Sequence, residues 1–209
     1  FDQAWNTGVK PLMDNRIERG KMTAEEKEAI LKRISLKTDL EAMADADVVI
    51  EAVIENLEVK KDVFKRLDEI VKKEAILASN TSTMSITVLA AQTKRPEQVV
   101  GMHFFNPPQV MKLVEVVRGY YTSDQTVETV FQFAKSMGKE PVEVKKDSPG
   151  FIVNRIMLVQ FVEAIRLVEE GIATMEDVDK AVTLGLNYPM GPFTLQDFAG
   201  VDIGYYVMD

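Results

Sequence analysis

The 209-residue sequence has no cysteine, one histidine and one tryptophan. Without cysteine there is no disulfide, no thiolate nucleophile and no thiolate-bound zinc. A single imidazole, with no acid cluster at ligand spacing, leaves no set of side chains suited to holding a metal. No apolar run approaches the roughly 20 residues that a membrane-spanning helix needs. The opening Phe1-Asp2-Gln3-Ala4 shows no basic segment followed by an apolar one, so no secretory leader is read there. Positive charge is in deficit: 25 Lys and Arg against 33 Asp and Glu give a net charge of −8. That balance speaks against general binding to nucleic acid or to anionic membranes. The cluster Lys10, Arg16, Arg19 and Lys21 reads first as a solvated helix face.

The remaining residues have the composition of a soluble globular protein, with 46% apolar. Thr23 with Glu26 forms a capping box that predicts a helix over about 24–35. From Val48 the period changes. Short β-branched or apolar runs at 48–53, 75–79 and 99–105 alternate with helical patterns at 58–73 and 85–91. Strand, helix, strand, helix, strand with short joins predicts a mostly parallel sheet with crossover helices. Further strands are expected at 113–117 and 141–145, around a helix at 124–137 capped by Thr122 or Ser123. After Asp147-Ser148-Pro149-Gly150 the strand patterns stop. Helices are then expected over 151–170, 175–184 and from about 193. The expected organisation is thus a Rossmann-like α/β domain over 1–146 and a helical domain over 147–209.

In an open parallel sheet, ligands bind beyond the carboxyl ends of the strands. Three predicted strand ends carry polar residues: Glu51 with Glu55-Asn56, Ser79-Asn80-Thr81-Ser82, and His103 with Asn106. Glu115 lies in the apolar run Leu113–Val117, twelve residues after His103. Taken alone, His103 and Glu115 could be a core histidine and an unrelated acid, and the Ser, Asn and Thr residues could be ordinary turn chemistry. Facing one crevice, they supply a base, an orienting acid and neutral hydrogen-bond donors. That set suits removal of a hydroxyl proton, not phosphoryl transfer.

His-Phe-Phe-Asn-Pro (103–107) followed by Met-Lys-Leu-Val-Glu-Val-Val (111–117) resembles the L-3-hydroxyacyl-CoA dehydrogenase family. So do Glu-Ala-Val-Ile-Glu-Asn (51–56), Ser-Asn-Thr-Ser (79–82), Asp-Ser-Pro-Gly-Phe-Ile-Val-Asn-Arg (147–155) and Tyr-Pro-Met-Gly-Pro-Phe (188–193). The resemblance runs through nearly the whole chain and is nearest to the stand-alone, short-chain members of the family. It implies an NAD-dependent oxidoreductase, NADP being the less expected cofactor. The implied reaction interconverts (S)-3-hydroxyacyl-CoA and 3-ketoacyl-CoA, with 3-hydroxybutyryl-CoA and acetoacetyl-CoA as the implied substrate pair. It implies that His103 takes the substrate's hydroxyl proton, that Glu115 orients His103, and that Ser82 and Asn154 bond near the reacting oxygen. It further implies cofactor contacts at Glu55, Lys60, Ser82 and Asn106, with Lys10 and Arg16 as loose candidates for CoA. A homodimer and a cytoplasmic location (the mitochondrial matrix in a eukaryote) come with the same resemblance. The rival possibilities are the dehydrogenase part of a multifunctional fatty-acid oxidation protein, or a non-catalytic structural or CoA-binding relative.

Two departures from the family pattern stand out. No G-x-G-x-x-G motif occurs, so the turn that would seat the cofactor pyrophosphate at a helix N-terminus is not seen. The motifs begin beyond the family's first strands and stop before its last helices. The expectation is therefore a chain cut at both ends.

Overall fold

The computed structural model describes residues 5–200. Two compact units divide after Ala42. The first holds a helical turn at Trp5–Val9 and the helices α1 (Lys10–Glu18) and α2 (Ala24–Leu31). The capping box of Thr23 and Glu26 forms as expected, and Lys27 pairs with Asp14. Neither helix buries a residue.

The second unit is built on a five-stranded sheet of β1 (Val48–Glu51), β2 (Ile76–Ser79), β3 (Val99–Phe104), β4 (Leu113–Val117) and β5 (Glu140–Val144). The strands lie in chain order. β1, β2 and β3 are mutually parallel, β4 runs antiparallel to β3, and β5 is parallel to β4. The expected parallel architecture is present, with one reversal. The reversal follows from the short join at 105–112, which is too brief for the crossover that a parallel pair needs. The helices are α3 (Leu57–Ile70), α4 (Ile86–Ala90) and α5 (Asp124–Ser136), followed by α6 (Val153–Glu169), α7 (Met175–Gly185) and α8 (Pro192–Ala199). Asn56, Ser85, Ser123 and Thr174 cap α3, α4, α5 and α7 through their side chains, so the choice between Thr122 and Ser123 falls to Ser123.

Side chains alternate across a sheet, so residue parity decides which face each one meets. Ile76, Ala78, Val100, Met102, Val114 and Val116 pack with Val127, Val130 and Ala134 of α5. The registers Glu51↔Ser79, Ser79↔Gly101 and His103↔Glu115 put Glu51, Ser79, His103 and Glu115 on the opposite parity. On that side a Cβ at Gly101 would come within 2.6 Å of Val117 Cβ and 3.0 Å of Ile86 Cδ1, so the glycine lets α4 lie close to the sheet.

α3 differs from its expected orientation. Periodicity points to Val59, Val63, Leu67, Ile70 and Val71 as its inward stripe. The structure buries Lys60, Phe64, Leu67 and Val71, and leaves Val59 38% exposed. The stripe is rotated because the lysine finds carboxylate partners inside, which no apolarity pattern registers.

Candidate active site

His103 sits near the end of β3, and its register partner across the antiparallel pair is Glu115 of β4. The pairing brings His103 Nδ1 to 2.7 Å from Glu115 Oε2. Both side chains are buried, at 5% and 1% exposure. The other carboxylate oxygen, Oε1, accepts the backbone N–H groups of Ile152 and Val153, each at 3.0 Å. Those groups open α6, where free N–H donors and the helix dipole favour an anion. Burial pulls the Glu115 pKa upward. The His103 bond and the two N–H donors more than reverse this, and its carboxyl titrates below the ordinary value. Glu115 is therefore an ionised acceptor, and with Nδ1–H donated to it, His103 Nε2 carries the free lone pair. Among the described residues, Nε2 has no hydrogen-bond partner.

Two aromatic rings fix the imidazole from its sides. Phe105 lies 4.5 Å and Phe151 5.6 Å from it, centroid to centroid, both tilted. Phe151 adopts φ 49°, directly after Gly150 at φ 73°. A side chain other than glycine in the left-handed region costs roughly 1–2 kcal/mol. Here that conformation delivers the ring to His103 and aims the next two N–H groups at Glu115. The run-in to this turn is held by Asp147, whose Oδ2 accepts from Ser85 Oγ (2.6 Å), Thr87 N (2.8 Å) and Thr87 Oγ1 (2.7 Å).

The other sequence-predicted residues fall into distinct settings. Ser82 is half-buried, and its backbone N–H donates to Glu55 Oε1 at 3.1 Å. Asn154 is half-buried in the first turn of α6, next to the residue whose N–H holds Glu115. Asn106 is exposed in the turn after β3. Among the described residues the side chains of Ser82, Asn154 and Asn106 bond to no other residue, which leaves them available to a ligand. Glu55 is gathered by Thr81 Oγ1, Ser82 N, Thr83 Oγ1 and Lys60. Burial raises its pKa, and the Thr81 bond, the Lys60 charge and the Ser82 N–H outweigh that and lower it. Lys60 is set apart from the rest: it is buried against Glu51 and Glu55. Lys10 and Arg16 lie in the first compact unit.

Sequence reasoning missed the two backbone donors to Glu115, the rings of Phe105 and Phe151, and the Asp147 clasp. Phe151 and Asp147 lie within the Asp-Ser-Pro-Gly-Phe signal, but nothing in it says what they touch. Among the described residues no group of three metal-ligating side chains occurs, and no helix is long and apolar enough to cross a membrane.

A mostly parallel sheet with acceptors and donors clustered beyond its strand ends places a ligand site there, as in nucleotide-binding α/β folds. An ionised carboxylate, a free hydroxyl and a free amide suit the sugar hydroxyls and carboxamide of a nicotinamide cofactor, so those residues fit it. The comparisons with known proteins agree. Residues 3–148 match the family model "3-hydroxyacyl-CoA dehydrogenase, NAD binding domain", and residues 150–209 match "3-hydroxyacyl-CoA dehydrogenase, C-terminal domain". The chain is 48% identical over 193 residues to a 3-hydroxybutyryl-CoA dehydrogenase of Clostridioides difficile, covering 92% of this chain and 68% of that one. It is 49% identical over 210 residues to a probable 3-hydroxybutyryl-CoA dehydrogenase of Bacillus subtilis, covering 99% and 73%. The crystal structure of an (S)-3-hydroxybutyryl-CoA dehydrogenase from Ralstonia eutropha superposes with a TM-score of 0.95 at 43% identity, over 99% of this chain and 72% of that one. The chain belongs to the 3-hydroxyacyl-CoA dehydrogenase family, and is an NAD-dependent oxidoreductase.

Proposed function

We propose that the protein interconverts (S)-3-hydroxyacyl-CoA and 3-ketoacyl-CoA, with the short-chain pair 3-hydroxybutyryl-CoA and acetoacetyl-CoA as its substrates, and with His103 as the acid–base group. The observation that carries this is the 2.7 Å bond between His103 Nδ1 and Glu115 Oε2, which leaves Nε2 as the basic atom. In the oxidative direction Nε2 takes the proton of the 3-hydroxyl, and Glu115 stabilises the imidazolium that results. NAD, when bound, would supply the acceptor for the hydride that leaves C3. Ser82 and Asn154 hold the reacting oxygen, and Glu55, Lys60, Ser82 and Asn106 would hold the cofactor. Phe105 and Phe151 shield the imidazole from water, so that its bond to Glu115 acts in a low-dielectric setting.

We further assign residues 1–146 to cofactor binding and 147–209 to substrate binding and dimerisation. The exposed apolar residues Ile156 (57%) and Val159 (70%) on α6 support a homodimer contact there. With it we propose a cytoplasmic location, or the mitochondrial matrix in a eukaryote. The test is His103→Ala. Reduction of acetoacetyl-CoA should fall by roughly 10²–10⁴-fold, the usual size of acid–base catalysis, while the chain still folds, with a melting temperature several degrees lower because the buried Glu115 loses its partner. Near-normal turnover would refute the assignment.

A further inference from the structure

Asp147 joins three segments that carry parts of the site. Its Oδ2 accepts from Ser85 Oγ at 2.6 Å, from Thr87 Oγ1 at 2.7 Å and from Thr87 N at 2.8 Å, at the start of α4 and 60 to 62 residues earlier in the chain. Thr87 Oγ1 in turn accepts the N–H of Tyr120 at 3.0 Å, in the turn that follows β4. The run before α6, the start of α4 and the turn after β4 therefore meet at one carboxylate. β4 carries Glu115, and α6 opens with the two N–H groups that Glu115 accepts. Ser82 stands just ahead of Ser85, and Asn154 directly after Val153.

The other bonds of the 147–155 segment are internal to it. Phe151 N donates to Ser148 O at 3.0 Å, Arg155 N to Gly150 O at 3.2 Å, and Arg155 Nη1 to Ser148 Oγ at 3.0 Å. They shape the turn but do not place it on the sheet. Among the described residues, the hydrogen bonds that tie this segment to elements other than α6 are those of Asp147 and those to Glu115. A left-handed residue such as Phe151, at φ 49°, persists where its surroundings over-determine it. Here the two outside holds are the Asp147 clasp on one side of the turn and Glu115 on the other. Asp147 Oδ1 is buried with no partner among the described residues, so the whole grip rests on Oδ2. An unpaired buried carboxylate oxygen is costly, and that cost is carried for the position that Oδ2 fixes.

We propose that Asp147 is a positioning residue for proton transfer: its hold on Ser85 and Thr87 sets the opening N–H groups of α6 on Glu115 and fixes Asn154 relative to Ser82. This rests on the acid–base role proposed above for His103. Asp147 touches neither His103 nor a substrate; it acts through Ile152, Val153 and Glu115.

The test is Asp147→Asn in the whole protein, beside Thr87→Val. The asparagine carbonyl must take the Oδ2 position, because an amide NH₂ there would face the Thr87 N–H. The shape is kept, and three bonds to a charged acceptor become neutral. Exchange of the Ile152 and Val153 amides with solvent, relative to that of Met102 in β3, should quicken on the order of tenfold. Burial raises the Glu115 pKa, and the His103 bond and these two N–H groups lower it. Weaker N–H bonds should therefore move its ¹³C carboxyl titration, followed without cofactor, to higher pH. Loss of the Asp147 charge by itself would move that titration lower, so the direction separates the two effects. Thr87→Val removes one donor without changing the charge, and should move it the same way by less. In Asp147→Asn, kcat for acetoacetyl-CoA reduction should fall by roughly ten- to a hundredfold, the effect of misplacing reacting groups by about an ångström, with KM for acetoacetyl-CoA and NADH changed far less. An unmoved Glu115 titration, an unchanged relative exchange or an unchanged kcat each overturns the proposal, even beside a lowered melting temperature, because a purely structural clasp lowers stability alone. A Glu115 titration moved to lower pH overturns it too. If Asp147→Asn fails to fold, Thr87→Val is read by the same three measures, with smaller changes in the same directions expected and none overturning the proposal. Failure of the wild type to reduce acetoacetyl-CoA would refute the proposed activity instead, and the exchange and titration would still decide what Asp147 holds.

Discussion

Replacing Glu115 by glutamine isolates what the carboxylate does for His103. The site is closed, at 1% exposure, and Oε1 faces two N–H donors at 3.0 Å. The glutamine carbonyl must occupy that position, because turning the amide there would set N–H against N–H. The amide NH₂ then faces His103 Nδ1 and donates to it. The imidazole is pushed into the tautomer with its proton on Nε2, where it cannot accept one from substrate. Loss of the correct tautomer together with the stabilising charge should lower kcat by roughly 10²–10⁴-fold, about 3–5 kcal/mol in the barrier. The fold is also weakened, because two hydrogen bonds to a charged acceptor become neutral. That costs about 1–3 kcal/mol and several degrees of melting temperature. The assay is NADH-dependent reduction of acetoacetyl-CoA with kcat and KM resolved, beside a thermal melt. Turnover should fall far more than substrate affinity. Equal losses in kcat and affinity, or a fall in kcat below tenfold, would refute the tautomer argument and leave Glu115 as a packing and docking residue for α6.

Two further outcomes concern stability. Gly101→Ala should destabilise by about 1–3 kcal/mol through overpacking, because its Cβ would meet Val117 Cβ at 2.6 Å and Ile86 Cδ1 at 3.0 Å; urea unfolding measures this, and an unchanged midpoint would show that α4 is free to shift. Glu115 and Glu55 titrate below their ordinary values in the folded chain, as does Asp179 of α7, whose carboxylate accepts from Thr194 Oγ1 and from the N–H groups of Phe193 and Thr194. Their stabilisation is complete above the unfolded carboxylate range and is lost as pH falls through the folded values. Melting temperature should therefore be level down to about pH 5 and fall below about pH 4; a rise on acidification would contradict the assignments.

The elements were legible because their signals are local. The helices expected at 85–91, 124–137 and 175–184 form, capped by Ser85, Ser123 and Thr174, and β4 spans 113–117 as its apolar run indicates. Boundaries shifted where tertiary context overrode pattern. The strand expected at 48–53 ends at Glu51, whose side chain folds back to accept from Val53 N. The helix expected from 151 begins at Val153, because Gly150 and Phe151 take left-handed conformations. The inward face of α3 was read only in part: Leu67 and Val71 turn inward as expected, but a buried lysine looks like a surface residue until its carboxylates are known.

The candidate site divides in the same way. Chemical identity came from sequence: one imidazole in the whole chain, a carboxylate in an apolar run, and polar residues at three strand ends. Those are properties of single residues and short spacings. The meeting of His103 with Glu115 was decided only by the antiparallel register of β3 and β4, and a slip of one residue would put the two on opposite faces. The backbone donors of Ile152 and Val153, more than thirty residues away along the chain, became part of the site only when α6 set its N-terminus against Glu115. Sequence thus determined which groups were present and which elements carried them. Tertiary structure decided which groups touch, because hydrogen bonds act over a few ångströms and distant segments come that close only when the sheet and its helices pack.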